Sequence, residues 1–495
     1  MPRNARPLST WRHIAVTWAL PDDFGGMTSV ILRRSAGFAA AGAPVTVVTF
    51  DDRLDTPDEV ARLRARGVLH PGVEVLQLWD WLAENPLRGK DSVAALPFAP
   101  LDTGSPDHVE IEHDGVVRRR EARDADGTVL QVDRYRPDGS LLASDRRAVA
   151  GTPRSVVVCD ADGNPVRGWS SMWSLYRHWL DRLTDKRRTM LIVDSKTAAR
   201  FVHGYRRKHV ATVHVVHSSH RAGSGEPGSP MKASRRDTLE NAASFDVVVA
   251  LTERQRADLA ADLDADTMFA VVPNASPVDL LRDAPLKRDA SRGVMLASLN
   301  TRKRVGHAMT AAADAGVSLD VYGEGPERAA LQRHIADLGA DARVRLLGHR
   351  SDAALAFRDA SFSPLTSTSE GSPLVIIESM AAGCIPIAYD IRYGPGDTIR
   401  DGVDGFLIRP GDVAAMAARI REVVAMPERR RRRMRRAAKR SVARFGEARV
   451  TEEWAGLFTD IAARRWPAPP PRPLHARVGG RLRRLWRTAG LRQGA

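Results

Sequence analysis

Cysteine is nearly absent from this chain of 495 residues, because only Cys159 and Cys384 occur, far apart in the sequence. Two distant cysteines without metal-ligand spacing support neither a disulfide framework nor a zinc site. Long apolar runs are missing too, and none approaches the roughly 20 residues that a membrane-spanning helix needs. The first apolar stretch, residues 14–20, ends at two aspartates without a small-residue cleavage site, so we expect a buried strand there. These absences predict a protein of the reducing cytoplasm whose membrane association, if any, is peripheral.

Positive charge, in contrast, is abundant. The net charge is +15, concentrated in residues 429–440 and 481–492. Such runs suit phosphate-rich surfaces, and they also occur on ordinary solvated helix faces. Leu482, Leu485 and Trp486 are interspersed with the basic residues, as in an interfacial helix, and no nucleic-acid module accompanies them. We therefore favour an anionic membrane surface over nucleic acid.

The first part of the chain alternates strand-like and helical patterns. An apolar run at residues 13–20 precedes Gly25 and Gly26, a helical pattern over residues 28–41 and a β-branched run over residues 45–50. This order is typical of a doubly wound α/β domain. Gly26 would let the backbone approach a ligand at the start of the helix, although glycine is also common in purely structural turns.

Residues 105–170 follow a different pattern, in which glycines recur every twelve residues and most of them follow an aspartate. Asp-Gly turns between strand-like runs predict an antiparallel meander. Residues 124–126 and 160–162 read Asp-Ala-Asp, which binds metal in other contexts, but their position on tight turns favours hairpins.

Helical and strand patterns resume after residue 170 and predict a chain of two α/β domains with additions. A proline-rich stretch begins at Trp466 and is expected to be stiff. The predicted division is a first domain at residues 1–104 and 171–275, an inserted β-meander at 105–170, a second domain at 276–440, a C-terminal helix at 441–465, and a linker with a basic tail at 466–495.

The most informative stretch, residues 367–407, contains Glu370 and Glu378. Ser372, Pro373 and the apolar residues after them predict a short helix that Ser372 caps, with Pro373 at its first position. Amides at such a helix start attract phosphate. Glu370 would accept hydrogen bonds from sugar hydroxyls, and Glu378 would reach a second polar group of the same ligand. The pair alone is equally compatible with an ordinary capped helix.

Further residues extend this block. Gly383 is expected to end the helix, residues 382–387 read Ala-Gly-Cys-Ile-Pro-Ile, and residues 401–407 read Asp-Gly-Val-Asp-Gly-Phe-Leu. The block resembles the signature of retaining glycosyltransferase family four. That resemblance implies a GT-B fold, in which two Rossmann-like domains face a cleft. Residues 389–390 and 393–395 resemble the subgroup that glycosylates poly(glycerol phosphate), other wall teichoic acids and serine-rich surface proteins.

The resemblance also implies roles for the block. Glu370 is expected to orient the transferred sugar as a catalytic residue, and Glu378 to bind the nucleotide ribose. The remaining donor-binding residues expected there are Gly371, Ser372, Leu374 and Val375.

A basic segment, residues 297–304, resembles the family's Arg-Leu-x-x-x-Lys element, whose arginine and lysine bind the donor diphosphate. Lys303 matches the catalytic lysine, whereas Ser298 occupies the position of the arginine. Arg302 or Arg304 is a candidate to supply the missing charge, since guanidinium pairs well with phosphate.

Three histidines, His214, His217 and His220, end a predicted strand. A metal site there would need further ligands, and we expect no metal to bind. His217 resembles the family's strand-terminal histidine, which lies close to the transferred sugar and helps to exclude water. His220 is a candidate acceptor contact or a loop histidine.

Shorter motifs complete the resemblance. Gly325 belongs to a Gly-x-Gly-Pro turn near the nucleotide pocket, Asn274 to a Pro-Asn element between the domains, and Gly26 to the family's N-terminal glycine loop.

Taken together, these motifs imply a cytoplasmic transferase that moves a hexose such as glucose from a UDP-sugar to a cell-envelope polymer, with poly(glycerol phosphate) as the sharpest expectation. The resemblance also implies that no metal is required, and no cofactor is expected, since the UDP-sugar is a substrate. The rivals are transfer to a lipid-linked or capsular glycan and a catalytically silent partner subunit. Expected partners are the nucleotide sugar, an anionic polymer or glycan, an anionic membrane surface and, through the inserted sheet, a second copy of the chain.

Overall fold

The computed structural model describes residues 7–21, 25–87, 96–102, 107–148, 151–281 and 288–467. Its first part alternates strands and helices as predicted. The fully buried second strand reflects its β-branched sequence. The elements are β1 (Arg12–Val16), α1 (Gly26–Ala40), β2 (Val45–Thr49), α2 (Thr56–Ala65), β3 (Val73–Gln77) and α3 (Leu78–Glu84).

An antiparallel meander follows, which confirms the predicted insertion. Consecutive strands pair in a six-stranded sheet. Its Gly127 and Gly163 adopt φ of 80° and 82° in the turns, and the Asp126 amide donates to Asp124 Oδ1 at 3.0 Å. The two Asp-Ala-Asp stretches are therefore hairpin turns. The strands are β4 (His108–His113), β5 (Val116–Arg123), β6 (Val129–Tyr135), β7 (Leu141–Arg146), β8 (Ser155–Cys159) and β9 (Pro165–Trp169).

The N-terminal domain is completed after the meander. Its seven strands form one parallel sheet in the order β13-β12-β11-β10-β1-β2-β3. The added elements are α4 (Met172–Thr184), β10 (Thr189–Val193), α5 (Lys196–Val202), β11 (Val210–Val215), α6 (Ala233–Glu240), β12 (Val247–Ala250), α7 (Glu253–Asp262) and β13 (Phe269–Val271). Helix α8 (Val278–Leu281) comes next and packs into the core of the C-terminal domain.

The C-terminal domain has a second parallel sheet of six strands, in the order β16-β15-β14-β17-β18-β19. Ligands of such sheets bind beyond the carboxyl ends of the strands. Its elements are β14 (Arg292–Leu296), α9 (Val305–Asp314), β15 (Ser318–Tyr322), α10 (Arg328–Asp337), β16 (Val344–Leu346), β17 (Phe362–Leu365), α11 (Leu374–Ala382), β18 (Ile385–Tyr389), α12 (Pro395–Thr398), β19 (Phe406–Ile408), α13 (Val413–Ala425) and α14 (Glu428–Val442).

The last helix, α15 (Glu447–Arg465), returns to the N-terminal domain. The rings of Trp454 and Phe458 lie 6.1 and 5.7 Å from that of Phe38 on α1. The two chain crossings between the domains lie side by side, because the Ser276 amide donates to the Phe445 carbonyl oxygen at 2.9 Å. This paired crossing, called the hinge, joins the two domains.

The structure bears on the expectations for the cysteines, for membrane spans and for the basic runs. Cys159 and Cys384 are both buried and unpaired. Across the described ranges, no helix has the length and apolar character to cross a membrane. The basic run at residues 429–440 lies in α14, whereas the basic run at 481–492 falls outside the described residues.

Candidate active site

Helix α11 begins at the cleft, one residue later than predicted. Its first residue is Leu374, and Pro373, with φ −71° and ψ 105°, takes the cap position. Pro373 rather than Ser372 therefore lies at the cap position, and the predicted cap by Ser372 is wrong. The first amides of a helix have no intrahelical partner, so those of Leu374 and Val375 remain available. Gly383, with φ +73°, ends the helix as predicted.

Glu370 pairs with two cations of the basic segment, residues 297–304. Lys303 Nζ donates to Glu370 Oε1 at 2.6 Å, and Arg302 Nη1 donates to the same oxygen at 2.9 Å. Burial acts to raise the pKa of Glu370, but the charges of Lys303 and Arg302 hold it below its ordinary value. The carboxylate is therefore ionised at neutral pH and carries two cations at the start of α11.

Glu378 lies about one turn into α11 and is half-buried. Burial raises its pKa, and the charge of Arg33 on α1 opposes this effect. No residue in the described part of the chain hydrogen-bonds to its carboxylate or forms an ion pair with it. Glu378 therefore has free acceptor capacity beside the opposite domain.

Two glycines bring the domains into close approach. A methyl group added to Gly371 would lie 2.1 Å from the carbonyl oxygen of His217, so only glycine fits there without a shift. At Gly26 the same addition would lie 3.8 Å from Leu374 Cδ1. The start of α1 and the start of α11 thus meet across the cleft, with Gly26 where the glycine-loop motif predicts it.

His217 is held by a buried ion pair that the motifs did not reveal. Its Nε2 lies 2.7 Å from Asp194 Oδ1, and Arg34 donates to both Asp194 oxygens at 2.9 and 2.6 Å. Although burial acts to raise it, the pKa of Asp194 is held well below its usual range by Arg34 and His217. One signal was present in the sequence, because Arg34 interrupts the apolar face of α1 and Asp194 directly follows β10.

The other two histidines have separate partners. Burial lowers the pKa of His214 to about 4, and its Nδ1 lies 3.0 Å from the Val193 carbonyl oxygen. His220 is fully buried, and its Nε2 lies 2.8 Å from Asp262 Oδ2. A buried ring that faces Asp262 does not fit the predicted acceptor contact of His220.

The glycine-rich turn packs on the basic segment. Gly325 has φ +155°, and a methyl group there would lie 2.4 Å from the Leu299 carbonyl oxygen. Ser298, which replaces the expected arginine, is exposed next to this contact. Close packing explains the glycine, and the exposed serine leaves the arginine position without a cation.

Arg304 and Asn274 occupy different surroundings from the Glu370 cluster. Arg304 has φ +45°, and its charge acts on Tyr389 and His307 rather than on Glu370. Of the two candidates for the missing charge, only Arg302 reaches Glu370. Asn274 is 7% exposed at the crossing between the domains.

Comparison with known proteins agrees with this geometry. Residues 282–441 match the family described as glycosyl transferases group 1. The C-terminal domain is therefore similar to the group 1 glycosyltransferases. The glycosyltransferase motifs that carry Lys303, Glu370 and Glu378 all lie inside the matched segment.

Two curated relatives resemble this chain over longer stretches. An exopolysaccharide phosphotransferase of Streptomyces coelicolor is 34% identical over 265 residues, which is 52% of this chain and only 27% of that protein's length. The poly(ribitol-phosphate) alpha-N-acetylglucosaminyltransferase of Staphylococcus aureus is 22% identical over 485 residues, 88% of this chain and 97% of that protein.

A solved structure supports the fold of the whole chain. A mutant of S. aureus TarM in complex with fondaparinux, alpha-GlcNAc-glycerol and UDP matches with a TM-score of 0.76 and 19% identity, covering 90% of this chain and 99% of that chain. The GT-B fold, including the antiparallel sheet in its N-terminal domain, is confirmed.

Proposed function

We propose that this glycosyltransferase moves a hexose from a UDP-sugar to a hydroxyl of a polyol-phosphate polymer of the cell envelope, with retention of anomeric configuration. The observation that carries the proposal is the Glu370 cluster, in which one buried carboxylate organises Lys303 and Arg302 at the start of α11. Across the cleft from it stands His217, fixed by Asp194.

The donor diphosphate fits between the two helix starts. The free amides at the beginning of α11 and the positive end of α1 both favour an anion. Lys303 and Arg302 would stabilise the negative charge that develops on the departing UDP. Protein cations thus carry this charge, and we expect UDP release to persist when a chelator is present.

The remaining groups would hold the sugar and the nucleoside. Glu370 accepts hydrogen bonds from sugar hydroxyls once Lys303 turns to the diphosphate, and the free carboxylate of Glu378 accepts from the ribose. His217 borders the anomeric centre and, with the closed cleft, excludes water that would otherwise hydrolyse the donor.

The acceptor assignment is supported by the relatives. The S. aureus relative is named for transfer to poly(ribitol phosphate), and the TarM structure contains alpha-GlcNAc-glycerol. The Streptomyces relative is named for an exopolysaccharide, which supports a glycan acceptor as the second candidate. The same two S. aureus proteins favour N-acetylglucosamine as the transferred sugar, and glucose is the alternative that the sequence suggests.

We further propose that the enzyme works at the inner face of the cell membrane, held by one face of α14. This face consists of five exposed arginines at helical spacing: Arg429, Arg432, Arg433, Arg436 and Arg440. An anionic lipid surface attracts such a stripe.

UDP release tests the proposed activity. The purified protein is incubated with UDP-glucose or UDP-N-acetylglucosamine, alone and with poly(glycerol phosphate), poly(ribitol phosphate) or a neutral glycolipid. Polymer-dependent release is expected, and Glu370→Gln should lower it about 100-fold or more. Glu452→Gln on α15 serves as the control.

The outcomes separate the candidates. Release that depends only on the glycolipid would replace the polymer by a lipid-linked glycan. If release in the wild type does not exceed that of Glu370→Gln, the chain is a silent glycan-binding partner, as Ser298 at the arginine position would allow. Proton NMR of the product decides retention from the anomeric coupling constant.

A further inference from the structure

A group of cations without counter-ions lies next to the loop that follows β11. Arg235 is 9% exposed, and its Nη2 donates to Ser218 Oγ at 2.8 Å. Lys232 Nζ donates to the Ser219 carbonyl oxygen at 2.9 Å. Within the described ranges, no carboxylate lies within 4.0 Å of the charged nitrogens of Arg235, Lys232 or Lys196. We call these three residues the cation cluster.

The cluster is electrostatically unfavourable as it stands. Burial lowers the pKa of Arg235 to about 10. Burial and the charges of Arg235, Arg302 and Lys196 lower the pKa of Lys232. A buried charge is normally paired, as Arg34 is with Asp194 on the same domain. An anion from outside the chain would supply what this cluster lacks.

The cluster belongs to the cleft. Ser218, which accepts from Arg235, follows His217 directly, and its amide nitrogen would lie 3.1 Å from a methyl group on Gly371. Arg302, whose charge acts on Lys232, also donates to Glu370. Arg235 and Lys232 therefore lie beside the place where the transferred sugar would sit.

We propose that the cation cluster binds a phosphodiester group of the acceptor chain, adjacent to the hydroxyl that receives the sugar. The proposal rests on the proposed function and specifies its acceptor. In a polyol phosphate, every free hydroxyl is only a few bonds from a phosphate, so a phosphate site has to lie beside the reaction centre. A guanidinium with unused donors suits a phosphodiester, which offers two charged oxygens.

The acceptor is a better occupant than the donor. All three cations lie on the N-terminal domain, whereas Lys303 and the start of α11, which suit the donor diphosphate, lie on the C-terminal domain. A donor phosphate held at Lys303 leaves the cluster uncompensated. A neutral glycan acceptor would leave it uncompensated as well, so the cluster discriminates between acceptor classes.

The test compares Arg235→Gln with Arg236→Gln, an exposed arginine on the same helix whose removal changes the net charge equally. KM is measured for a soluble glycerol phosphate oligomer and for the UDP-sugar. Arg235→Gln should raise the oligomer KM about tenfold or more, the size of one charge-assisted contact, while the UDP-sugar KM stays unchanged. Arg236→Gln should change neither constant.

Direct binding makes the test independent of turnover. Calorimetry with UDP present should show that the oligomer binds the wild type and that it binds Arg235→Gln at least about tenfold more weakly. Neutral maltohexaose should bind neither protein. Oligomer binding without sugar transfer would refute the proposed function and keep the phosphate site.

Three results would overturn the site: equal oligomer affinity in wild type and Arg235→Gln, a rise in the UDP-sugar KM alone, or equal loss in Arg236→Gln. The melting temperature of Arg235→Gln without ligand should not fall, because the substitution removes an unpaired buried charge. If the melting temperature of Arg235→Gln does fall, the same measurements are made on Lys232→Gln, which replaces a half-buried residue of the cluster. Their result then decides whether the cluster binds the oligomer.

Discussion

At the residue scale, Glu370 and His217 are placed by different means. Glu370 is held by two cations from its own domain. His217 depends on Asp194, which in turn depends on Arg34. A carboxylate that pairs in this way fixes the orientation of the imidazole ring, as in metal and hydrolase sites.

The Asp194→Asn substitution should show this dependence in stability. Breaking a buried pair costs about 3–5 kcal/mol, so the wild type should be more stable by that order at pH 7. The folded-state pKa of Asp194 is depressed. Its contribution is therefore complete above the unfolded-state pKa of about 3.9 and shrinks as pH falls below it.

Urea unfolding of both proteins from pH 7 to pH 3 checks this expectation. Asp352→Asn, which removes an exposed carboxylate paired with Arg350, is the control. A stability difference between wild type and Asp194→Asn that stays constant below pH 4 would contradict the assignment.

The Gly371→Ala substitution tests the close approach of the domains. The added methyl group would lie 2.1 Å from the His217 carbonyl oxygen, so the loop or the domain has to move. A displacement near 1 Å at a reaction centre can cost about 100-fold, and we expect kcat/KM for the UDP-sugar to fall by that order.

Gly456→Ala is the matched control for steady-state kinetics, because nothing lies within 4 Å of the added group on α15. It should keep full activity and a melting temperature at least as high, since alanine favours helix. Full activity of Gly371→Ala would show that the cleft does not need this contact.

Single residues also show what the sequence could and could not predict. Lys303, Glu370, Gly371 and Glu378 were predictable because their motifs are local and ordered along the chain. Arg34, Asp194 and Arg235 were not, since a buried ion pair between α1 and the end of β10, or a cation without a counter-ion, arises only when distant segments meet.

At the scale of elements, the strand and helix patterns predicted both sheets and the meander, because burial on both faces and Asp-Gly turns leave clear signals. The start of α11 was predicted one residue early. Pro373 has a ψ of 105°, outside the helical range, so it takes the cap position in place of Ser372. The general preference for proline at the first helical position did not predict this.

Helix α14 supports a prediction of its own. The protein should bind vesicles that contain anionic phosphatidylglycerol, and replacement of the five stripe arginines by glutamine should abolish most of that binding at 0.15 M salt, since each contributes about 1 kcal/mol near the surface. The measurement is co-sedimentation. Arg430→Gln and Arg431→Gln are the controls, because these two arginines of the same helix lie outside the stripe. If the stripe variant binds the vesicles as well as the wild type does, another part of the protein makes the membrane contact.

At the scale of the whole molecule, ion pairs close the cleft opposite the hinge. Arg392 of the C-terminal domain pairs with Asp258 and, at 3.2 Å, with Glu226 of the N-terminal domain. Arg254 and Asp390 lie 3.3 Å apart across the same boundary. These pairs favour the closed arrangement in which Gly371 meets His217.

Arg392→Gln should therefore open the molecule. Small-angle X-ray scattering is expected to give a larger radius of gyration for this variant than for the wild type, and addition of UDP should reduce the difference because a ligand held by both domains favours closure. Arg350→Gln, which breaks an exposed pair within one domain, is the control. Identical radii for wild type and Arg392→Gln would show that other contacts hold the domains.

We propose above all that the two domains together transfer a sugar from UDP to a polyol-phosphate chain. The most direct measurement is incorporation of labelled sugar from a UDP-sugar into purified poly(glycerol phosphate) or poly(ribitol phosphate). Label in the polymer with the wild type and about 100-fold less with Glu370→Gln is the predicted result. Label that never enters either polymer, while UDP-sugar binds and a neutral glycan is labelled instead, would contradict it.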